Sequence, residues 1–281
     1  MLSAKHTILF ILFIFRSLML PAQLQSFGLH VDKSGSGEQA IVFIPGLGCS
    51  GTVWNSTKKK LKKEYTCYTL TMPGFAGNKP LPKPSFKEFE GLIVKFIQEN
   101  AIQKPFLIGH SLGGSLAMAV AADHPDLVSK LIITDALPFL LALNDSTVHP
   151  NLAACPEEVQ EMMQPTREEF LTSMKQSVWR MVSDTSAQKN VVDWAIRSDR
   201  YTFAKLYCDL TNTDLRKRLR TVTCPTLILL QPYFMDFQPA VEEQFLFLKQ
   251  KKISYASTGL HFIMYDNFDW FIGQVSSFLK D

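Results

Sequence analysis

Short apolar runs alternate with longer helical patterns along the chain from Gln39 onward. The runs are apolar at successive positions, which is typical of strands buried on both faces of a parallel sheet. The longer patterns repeat apolar residues every three or four positions, as helices covering such a sheet do. We therefore predict strands over six ranges: Ala40 to Ile44, Thr66 to Thr71, Pro105 to Gly109, Lys130 to Thr134, Thr226 to Leu230 and Ile253 to Ala256.

The helical patterns predict an α/β core that is interrupted by a helical lid. Helices are predicted at Ser85 to Gln98, Leu112 to Ala122, Pro239 to Lys251 and Phe268 to Leu279. Between residues 138 and 220 no convincing strand occurs, and helix starts are indicated at Pro156 and Pro165, each followed by acidic residues. We therefore predict a core of residues 23–137 and 221–281, with residues 138–220 as the lid.

The first 22 residues have the pattern of a secretory signal peptide. Lys5 precedes an apolar run from Ile8 to Phe15, and this run is too short to cross a bilayer. Cleavage near Ala22 would release an exported protein, periplasmic or secreted, without a stable membrane span. An uncleaved N-terminal anchor is the alternative, although Arg16 interrupts the apolar stretch.

Composition excludes few functional classes, but it argues against nucleic acid as a partner. Of the 281 residues, 46% are hydrophobic and 20% are charged, and a chain of this length can bury a large core. The net charge of +3 is too small to indicate nucleic-acid binding. The basic run from Lys58 to Lys63 is typical of a solvated helix face, with a membrane-surface or acidic-partner contact as the alternative.

The five cysteines do not indicate a metal site, because no pair has the spacing of metal ligands. Cys67 and Cys224 adjoin apolar runs and are predicted to be small core residues. Export would permit disulfides, and the odd number leaves at least one thiol unpaired. Cys155 and Cys208 lie in the same region and could pair.

The central motif of the sequence is Gly109-His110-Ser111-Leu112-Gly113. It directly follows a predicted buried strand and directly precedes a predicted helix. A sharp turn between a strand and a helix holds a serine in a strained conformation with its hydroxyl exposed above the sheet. The flanking glycines allow the close backbone approach that this turn requires. Ser111 is therefore predicted to be a catalytic nucleophile.

A serine nucleophile needs a general base, and His261 is the predicted one. It lies in a loop between the last predicted strand and the last predicted helix. In a parallel sheet this loop emerges at the same edge as the turn that carries Ser111. The other five histidines have less suitable positions; His110, for example, is predicted to pack against the end of the sheet.

The acid that would orient His261 has more than one candidate. Asp236 follows the strand Thr226 to Leu230 and is favoured, while Asp135 follows the strand Lys130 to Thr134 and is the main alternative. Both aspartates lie between serine and histidine along the chain, as the motif requires. Asp266 and Asp269 remain as weaker candidates.

The oxyanion that forms during acyl transfer needs backbone donors. One predicted donor is the N–H of Leu112, immediately after the nucleophile. The second is the N–H of Leu47, in the glycine-containing loop Pro45 to Cys49 after the first predicted strand.

These motifs resemble those of the α/β-hydrolase superfamily, over about Gln39 to Leu279. The resemblance rests on Ile44-Pro45-Gly46-Leu47-Gly48, Met72-Pro73-Gly74-Phe75-Ala76-Gly77, Gly109-His110-Ser111-Leu112-Gly113-Gly114 and His261. It implies a mostly parallel sheet of the eight-stranded type with helices on both faces, a helical cap after the sixth strand, and a Ser-Asp-His triad. The chain has Pro45-Gly46 where the family commonly has His-Gly, and Gln231 to Asp236 where the family commonly has Gly-x-x-Asp.

Hydrolysis of a carboxylic ester is the predicted reaction, because serine at position 111 suits acyl transfer to water. No metal or organic cofactor is expected, and the expected partner is a small-molecule ester. The apolar residues of the lid indicate an acyl pocket for a small or medium apolar substrate, or simply packing onto the sheet. An acyltransferase, a carbon–carbon-bond hydrolase and a cofactor-free perhydrolase would use the same residues. A non-catalytic binding protein is the remaining alternative.

Overall fold

The computed structural model describes residues 24–281, so the predicted signal peptide at residues 1–22 lies outside the described residues. The described residues form a seven-stranded sheet in the order β1-β3-β2-β4-β5-β6-β7. All neighbouring strands are parallel except β1, which pairs antiparallel with β3 at one edge. The strands are β1 His30–Ser34, β2 Ala40–Ile44, β3 Thr66–Thr71, β4 Phe106–His110, β5 Lys130–Thr134, β6 Thr226–Leu230 and β7 Lys251–Tyr255.

Helices cover both faces of this sheet, as the alternation of apolar runs predicts. They are α1 Asn55–Leu61, α2 Phe86–Glu99, α3 Leu112–Asp123, α4 Cys155–Met163, α5 Arg167–Trp179, α6 Thr185–Arg197, α7 Arg200–Thr211, α8 Gln238–Gln244, α9 Ile263–Asp266 and α10 Phe268–Lys280. Side chains alternate across the sheet, so that Val42 and Ile44 pack with α2 and α3 on one face. Ile41 and Phe43 pack with α10 on the other. The α/β fold class is therefore confirmed.

Three local predictions differ from the structure. The family resemblance implied a sheet of the eight-stranded type with a cap after the sixth strand. The described residues instead form seven strands, and the lid follows the fifth, because β1 is the one described strand before Ala40. This strand, β1, was not predicted because it is a half-exposed edge strand with Val31 as its one aliphatic residue. The helix predicted over Pro239 to Lys251 ends at Gln244, where the chain turns to bury Phe245 and Leu248 before β7 begins.

The segment between β5 and β6 consists of helices packed over the carboxyl edge of the sheet. Asp199 N donates to Gly74 O at 2.7 Å, and Ser198 Oγ accepts from Ala76 N at 2.9 Å. Phe203 of α7 lies directly over the loop after β2, because a Cβ on Gly48 would come within 2.8 Å of its ring. The helices are thereby anchored to the loops that follow β2 and β3.

A disulfide between Cys155 and Cys208 joins α4 to α7, with the two Cα atoms 5.7 Å apart. It pairs the two cysteines that the sequence left as possible partners. Cys49, Cys67 and Cys224 are unpaired and buried. Burial raises the pKa of the Cys49 thiol to about 12 and the pKa of Cys67 and Cys224 to about 11.

These cysteines lead to a prediction for thiol titration. Because the three thiols are buried and their pKa values are raised, thiolate is scarce in the folded protein at pH 8. We expect negligible reaction of the native protein with Ellman's reagent, three thiols after denaturation, and five after denaturation and reduction. Five reactive thiols without reductant would contradict the disulfide.

Candidate active site

Ser111 occupies the turn between β4 and α3 in the conformation that the motif predicts. Its backbone has φ 53° and ψ −123°, a left-handed conformation that costs a non-glycine residue on the order of 1–3 kcal/mol. Ser111 N donates to Thr134 O at 3.0 Å, which ties the turn to the end of β5. The packing around the turn maintains this strained backbone conformation. The turn places Ser111, which is half-buried, directly before the first residue of α3.

The glycines of the motif allow this packing. A Cβ on Gly109 would lie 2.1 Å from Gly113 O, and a Cβ on Gly113 would lie 2.3 Å from Ile44 O. Neither oxygen can move without breaking the sheet or the helix start. The spacing of the motif therefore reflects two backbone contacts that only glycine permits.

Substitution of Gly113 by alanine is expected to destabilise the protein by about 3 kcal/mol or more, because the new methyl group meets two backbone carbonyls. Gly91→Ala is the matched control, since Gly91 is also helical but has no atom within 4 Å of the position that a Cβ would take. Gly91→Ala should stabilise the protein by up to about 1 kcal/mol. Urea denaturation of the two variants measures the difference, and equal stabilities would contradict the packing described.

His261 follows β7 and is paired with Asp135, which follows β5. His261 Nδ1 lies 2.6 Å from Asp135 Oδ2, and the Asp135 side chain is completely buried. Gln231 also donates to this carboxylate, through its backbone N at 2.7 Å and its Nε2 at 2.8 Å. The aspartate is therefore held from two directions, and His261 Nε2 has no hydrogen-bond partner among residues 24–281.

Asp236, the acid favoured by the sequence, is not the partner of His261. It lies in a 3-10 helix, Pro232–Phe237, and its side chain is exposed. Asp135, the alternative, has the contact instead. The reason lies at Gln231, where the chain leaves β6: the residue contacts Asp135, and the 3-10 helix then carries Asp236 toward solvent. Asp266 accepts from Ser183 N and Leu260 N and serves the loop.

The loop after β2 lies directly against Ser111. A Cβ on Gly46 would be 3.3 Å from Ser111 Cβ, so the next residue, Leu47, is adjacent to the serine. Within the described chain, neither Leu47 N nor Leu112 N donates to a protein acceptor. The two amides predicted from the sequence therefore remain available near the serine hydroxyl.

His110 and Gln231 are site residues whose roles the sequence did not reveal. His110 is fully buried, and its Nε2 donates to the carbonyl oxygen of His261 at 3.0 Å, which helps to hold the His261 loop. Burial, together with the proximity of His261, keeps the pKa of His110 well below its ordinary value. A neutral imidazole is therefore favoured at this position, and it does not add charge to the site.

Ser111, His261 and Asp135 line one cavity of about 830 Å³ beneath the lid. Its walls are mainly apolar and come from both the core and the lid, with Leu137, Leu143, Met162, Val178 and Phe203 among them. A cavity of this size is in the range of small-molecule sites. The lid thus forms one wall of the space into which the serine is exposed.

The described residues contain one group with the composition of a metal site, and it lies outside the catalytic cavity. Cys155, Glu158 and Cys208 lie close together in the lid. The two sulfur atoms are joined in the disulfide and cannot act as thiolate ligands.

No part of the described chain has a helix long and apolar enough to cross a membrane.

A family model described as the alpha/beta hydrolase fold matches residues 39–231. The chain belongs to this family. Among curated α/β-hydrolase relatives, the pimeloyl-[acyl-carrier protein] methyl ester esterase of Proteus mirabilis is 27% identical over 203 residues, covering 72% of this chain and 77% of that protein. The same enzyme of Vibrio vulnificus is also 27% identical over 203 residues, covering 72% and 78%.

Solved structures show the same α/β-hydrolase fold. An esterase from Exiguobacterium antarcticum superimposes with a TM-score of 0.74 at 19% identity, covering 90% of this chain and 96% of that one. An enol-lactonase from Burkholderia xenovorans gives a TM-score of 0.75 at 16% identity, with coverage of 90% and 96%. The match over most of both chains includes the helical lid segment as well as the core.

Proposed function

We propose that this protein is a serine hydrolase that cleaves carboxylic esters through a triad of Ser111, His261 and Asp135. The observation that carries the proposal is one cavity lined by a strained serine at a helix start and by a histidine paired with a buried aspartate. The curated relatives named above are methyl ester esterases, and the chain shares their family.

Acylation begins with attack of Ser111 Oγ on the carbonyl carbon of the ester. His261 Nε2 takes the hydroxyl proton, and Asp135 stabilises the resulting imidazolium through its contact with Nδ1. The tetrahedral intermediate collapses, the bond from the carbonyl carbon to the alcohol oxygen breaks, and His261 returns the proton to the departing alcohol. An acyl group remains on Ser111.

Deacylation reverses these roles with water as the nucleophile. His261 takes a proton from water, the hydroxide attacks the acyl carbon, and the bond to Ser111 Oγ breaks. The proton then returns to Ser111, and the carboxylic acid leaves. Both steps need only residues of this chain and one water molecule.

The amides of Leu47 and Leu112 are proposed to stabilise the oxyanion in both steps. They belong to separate elements, the loop after β2 and the start of α3, that meet at Ser111. Backbone donors that are fixed in place before the reaction do not need to reorganise as charge develops, and each contributes about 2.7–4 kcal/mol in comparable sites. The dipole of α3 acts in the same direction.

The apolar walls of the cavity favour a small or medium apolar acyl group. Met162 and Met174 of the lid supply flexible side chains that can adapt to different acyl lengths. The walls also include Arg180, which lies at the outer part of the lid and is exposed. A neutral ester with an aliphatic acyl chain fits this distribution.

Export is a further part of the proposal. The N-terminal segment has the pattern of a signal peptide, and the lid carries a disulfide between Cys155 and Cys208. Disulfides persist in oxidising compartments and are rare in the cytosol. Fractionation of cells that express the full chain would test this: an uncleaved protein in the cytosol would contradict export.

Hydrolysis of p-nitrophenyl esters of increasing acyl length tests the proposed activity. We expect release of p-nitrophenol well above the rate in buffer, with a higher kcat/KM for butyrate or hexanoate than for acetate. The longer acyl groups bury more apolar surface in the cavity, at about 0.8 kcal/mol for each methylene. A rate no faster than buffer at every acyl length would contradict the proposal.

A further inference from the structure

Exposed apolar side chains surround the opening of the catalytic cavity. Leu140, Met181, Tyr207 and Tyr233 line the cavity and are also exposed, with 39% to 54% of their surface accessible. They come from four separate segments: the start of the lid, the turn after α5, the middle of α7 and the loop after β6. Single exposed apolar residues are ordinary, but a set that converges on one opening indicates an interaction surface.

A second groove of about 880 Å³ lies beside this opening, between α5 and α6. The groove and the cavity share Val178 and Arg180, so the two are adjacent. Trp179 lines the groove and is 71% exposed, the most exposed large apolar side chain among residues 24–281. An exposed tryptophan suits the boundary between water and lipid, where its ring is buried and its N–H stays hydrated.

The groove also carries positive charge without matching acids. Lys175, Arg180 and Lys189 line it, and none of them forms an ion pair within the described chain. Asp193 is the one acidic residue among the groove's lining residues, and it is already paired with Arg197 at 2.8 Å. These cations are therefore free to attract anionic groups.

We propose that this lid face docks on an anionic lipid bilayer, from which an ester substrate enters the cavity. The lid face consists of seven residues of the lid and one of the loop after β6: Leu140, Lys175, Trp179, Arg180, Met181, Lys189 and Tyr207, with Tyr233 from the loop. The inference rests on the proposed esterase function, because the cavity that opens on the lid face is the catalytic one. It adds the source of the substrate: an ester of limited solubility that resides in the membrane.

A bilayer fits the lid face better than an acidic protein does. The opening of the cavity lies within the face and must stay open for substrate, whereas a protein seated on these residues would cover it. A lipid surface accepts apolar side chains, attracts the neighbouring cations through its headgroups, and supplies an apolar ester directly to the opening. The proposed contact is made by exposed side chains at the bilayer surface, so it would be peripheral and reversible.

Vesicle co-sedimentation of the Ser111→Ala protein tests this proposal, since that variant binds lipid without consuming it. We expect about tenfold stronger partition onto vesicles of equal parts phosphatidylcholine and phosphatidylglycerol than onto pure phosphatidylcholine. The double charge reversal Lys175→Glu/Lys189→Glu should remove most of this difference, and Trp179→Ser should weaken binding severalfold. Partition that does not depend on anionic lipid would overturn the proposal.

Matched controls exist at the opposite edge of the sheet, where the strands begin. Lys63 and Lys249 are exposed and precede β3 and β7, respectively, and Leu246 is an exposed leucine between α8 and β7. Lys63→Glu/Lys249→Glu and Leu246→Ser should bind vesicles as the parent does. Equal loss of binding in these controls would show a nonspecific charge or hydrophobic effect and would overturn the assignment to the lid face.

Fluorescence gives an independent measurement at Trp179. Trp54 and Trp194 are buried and Trp270 lies on α10, outside the lid, so brominated phosphatidylcholine in mixed vesicles should quench mainly Trp179. Trp179→Phe should lose this quenching, and quenching that persists in that variant would overturn the proposed orientation.

Hydrolysis of soluble p-nitrophenyl butyrate separates the two proposals. If the ester is cleaved but vesicles are not bound, lipid docking fails; if vesicles are bound but no ester is cleaved, the esterase function fails.

Discussion

Ser111→Ala is expected to lower kcat for p-nitrophenyl butyrate by on the order of 10^6, to the level that the oxyanion donors and substrate binding alone can support. The oxygen of the serine hydroxyl is the atom that forms the acyl intermediate, and the other serines that line the described cavity, Ser115 and Ser177, lie inside helices. The variant keeps a Cβ at the same left-handed position, so its fold and its urea midpoint should not change.

Steady-state rates and urea unfolding of Ser111→Ala and Ser277→Ala would be measured together. Ser277 is an exposed serine on α10 and should tolerate the same change without loss of activity. Activity of Ser111→Ala within a few-fold of the parent would refute the nucleophile. Loss of activity accompanied by unfolding would be assigned to structure instead, and the unfolding curve makes that distinction.

The second large effect is expected at Asp135. Asp135→Asn should lower kcat by on the order of 10^4, because an amide cannot stabilise the His261 imidazolium and can hold the ring in the wrong tautomer. Its volume is nearly unchanged, so packing of the buried side chain against Gln231 is preserved in outline. Asp236→Asn provides the matched comparison, since Asp236 is exposed on its 3-10 helix and should tolerate the change.

The pair of variants decides which aspartate serves His261. Both are single aspartate-to-asparagine changes, and both residues follow neighbouring strands of one sheet. Measurement of kcat and KM for each on the same ester is sufficient. The opposite pattern, with a large loss in Asp236→Asn and none in Asp135→Asn, would mean that the loop after β6 rearranges in the working enzyme.

Much of the fold was predictable because its five central strands are buried on both faces. Four of the six predicted strands have the predicted bounds, and the other two are shifted by one or two residues. The edge strand β1 escaped prediction because one of its faces is solvated and its sequence, His30 to Ser34, is mostly polar. The start of α5 was correctly indicated, since Thr166 and Glu169 form a capping box there.

The site was only partly predictable, and its acid shows why. Asp135 and Asp236 both follow parallel strands at the carboxyl edge, so the order of residues along the chain does not separate them. The difference arises in three dimensions, from the left-handed backbone of Asp135 at φ 49° and from the contact of Gln231 with its carboxylate. Neither the backbone angle nor this contact leaves a pattern in the sequence that could be recognised beforehand.

Covalent labelling with a fluorophosphonate, followed by intact-mass analysis and peptide mapping, tests the central claim most directly. The proposed mechanism predicts one phosphonate on each chain, attached to Ser111, with loss of esterase activity in proportion to labelling and no adduct in Ser111→Ala. An adduct on a residue other than Ser111, or esterase activity that survives complete labelling of Ser111, would contradict it.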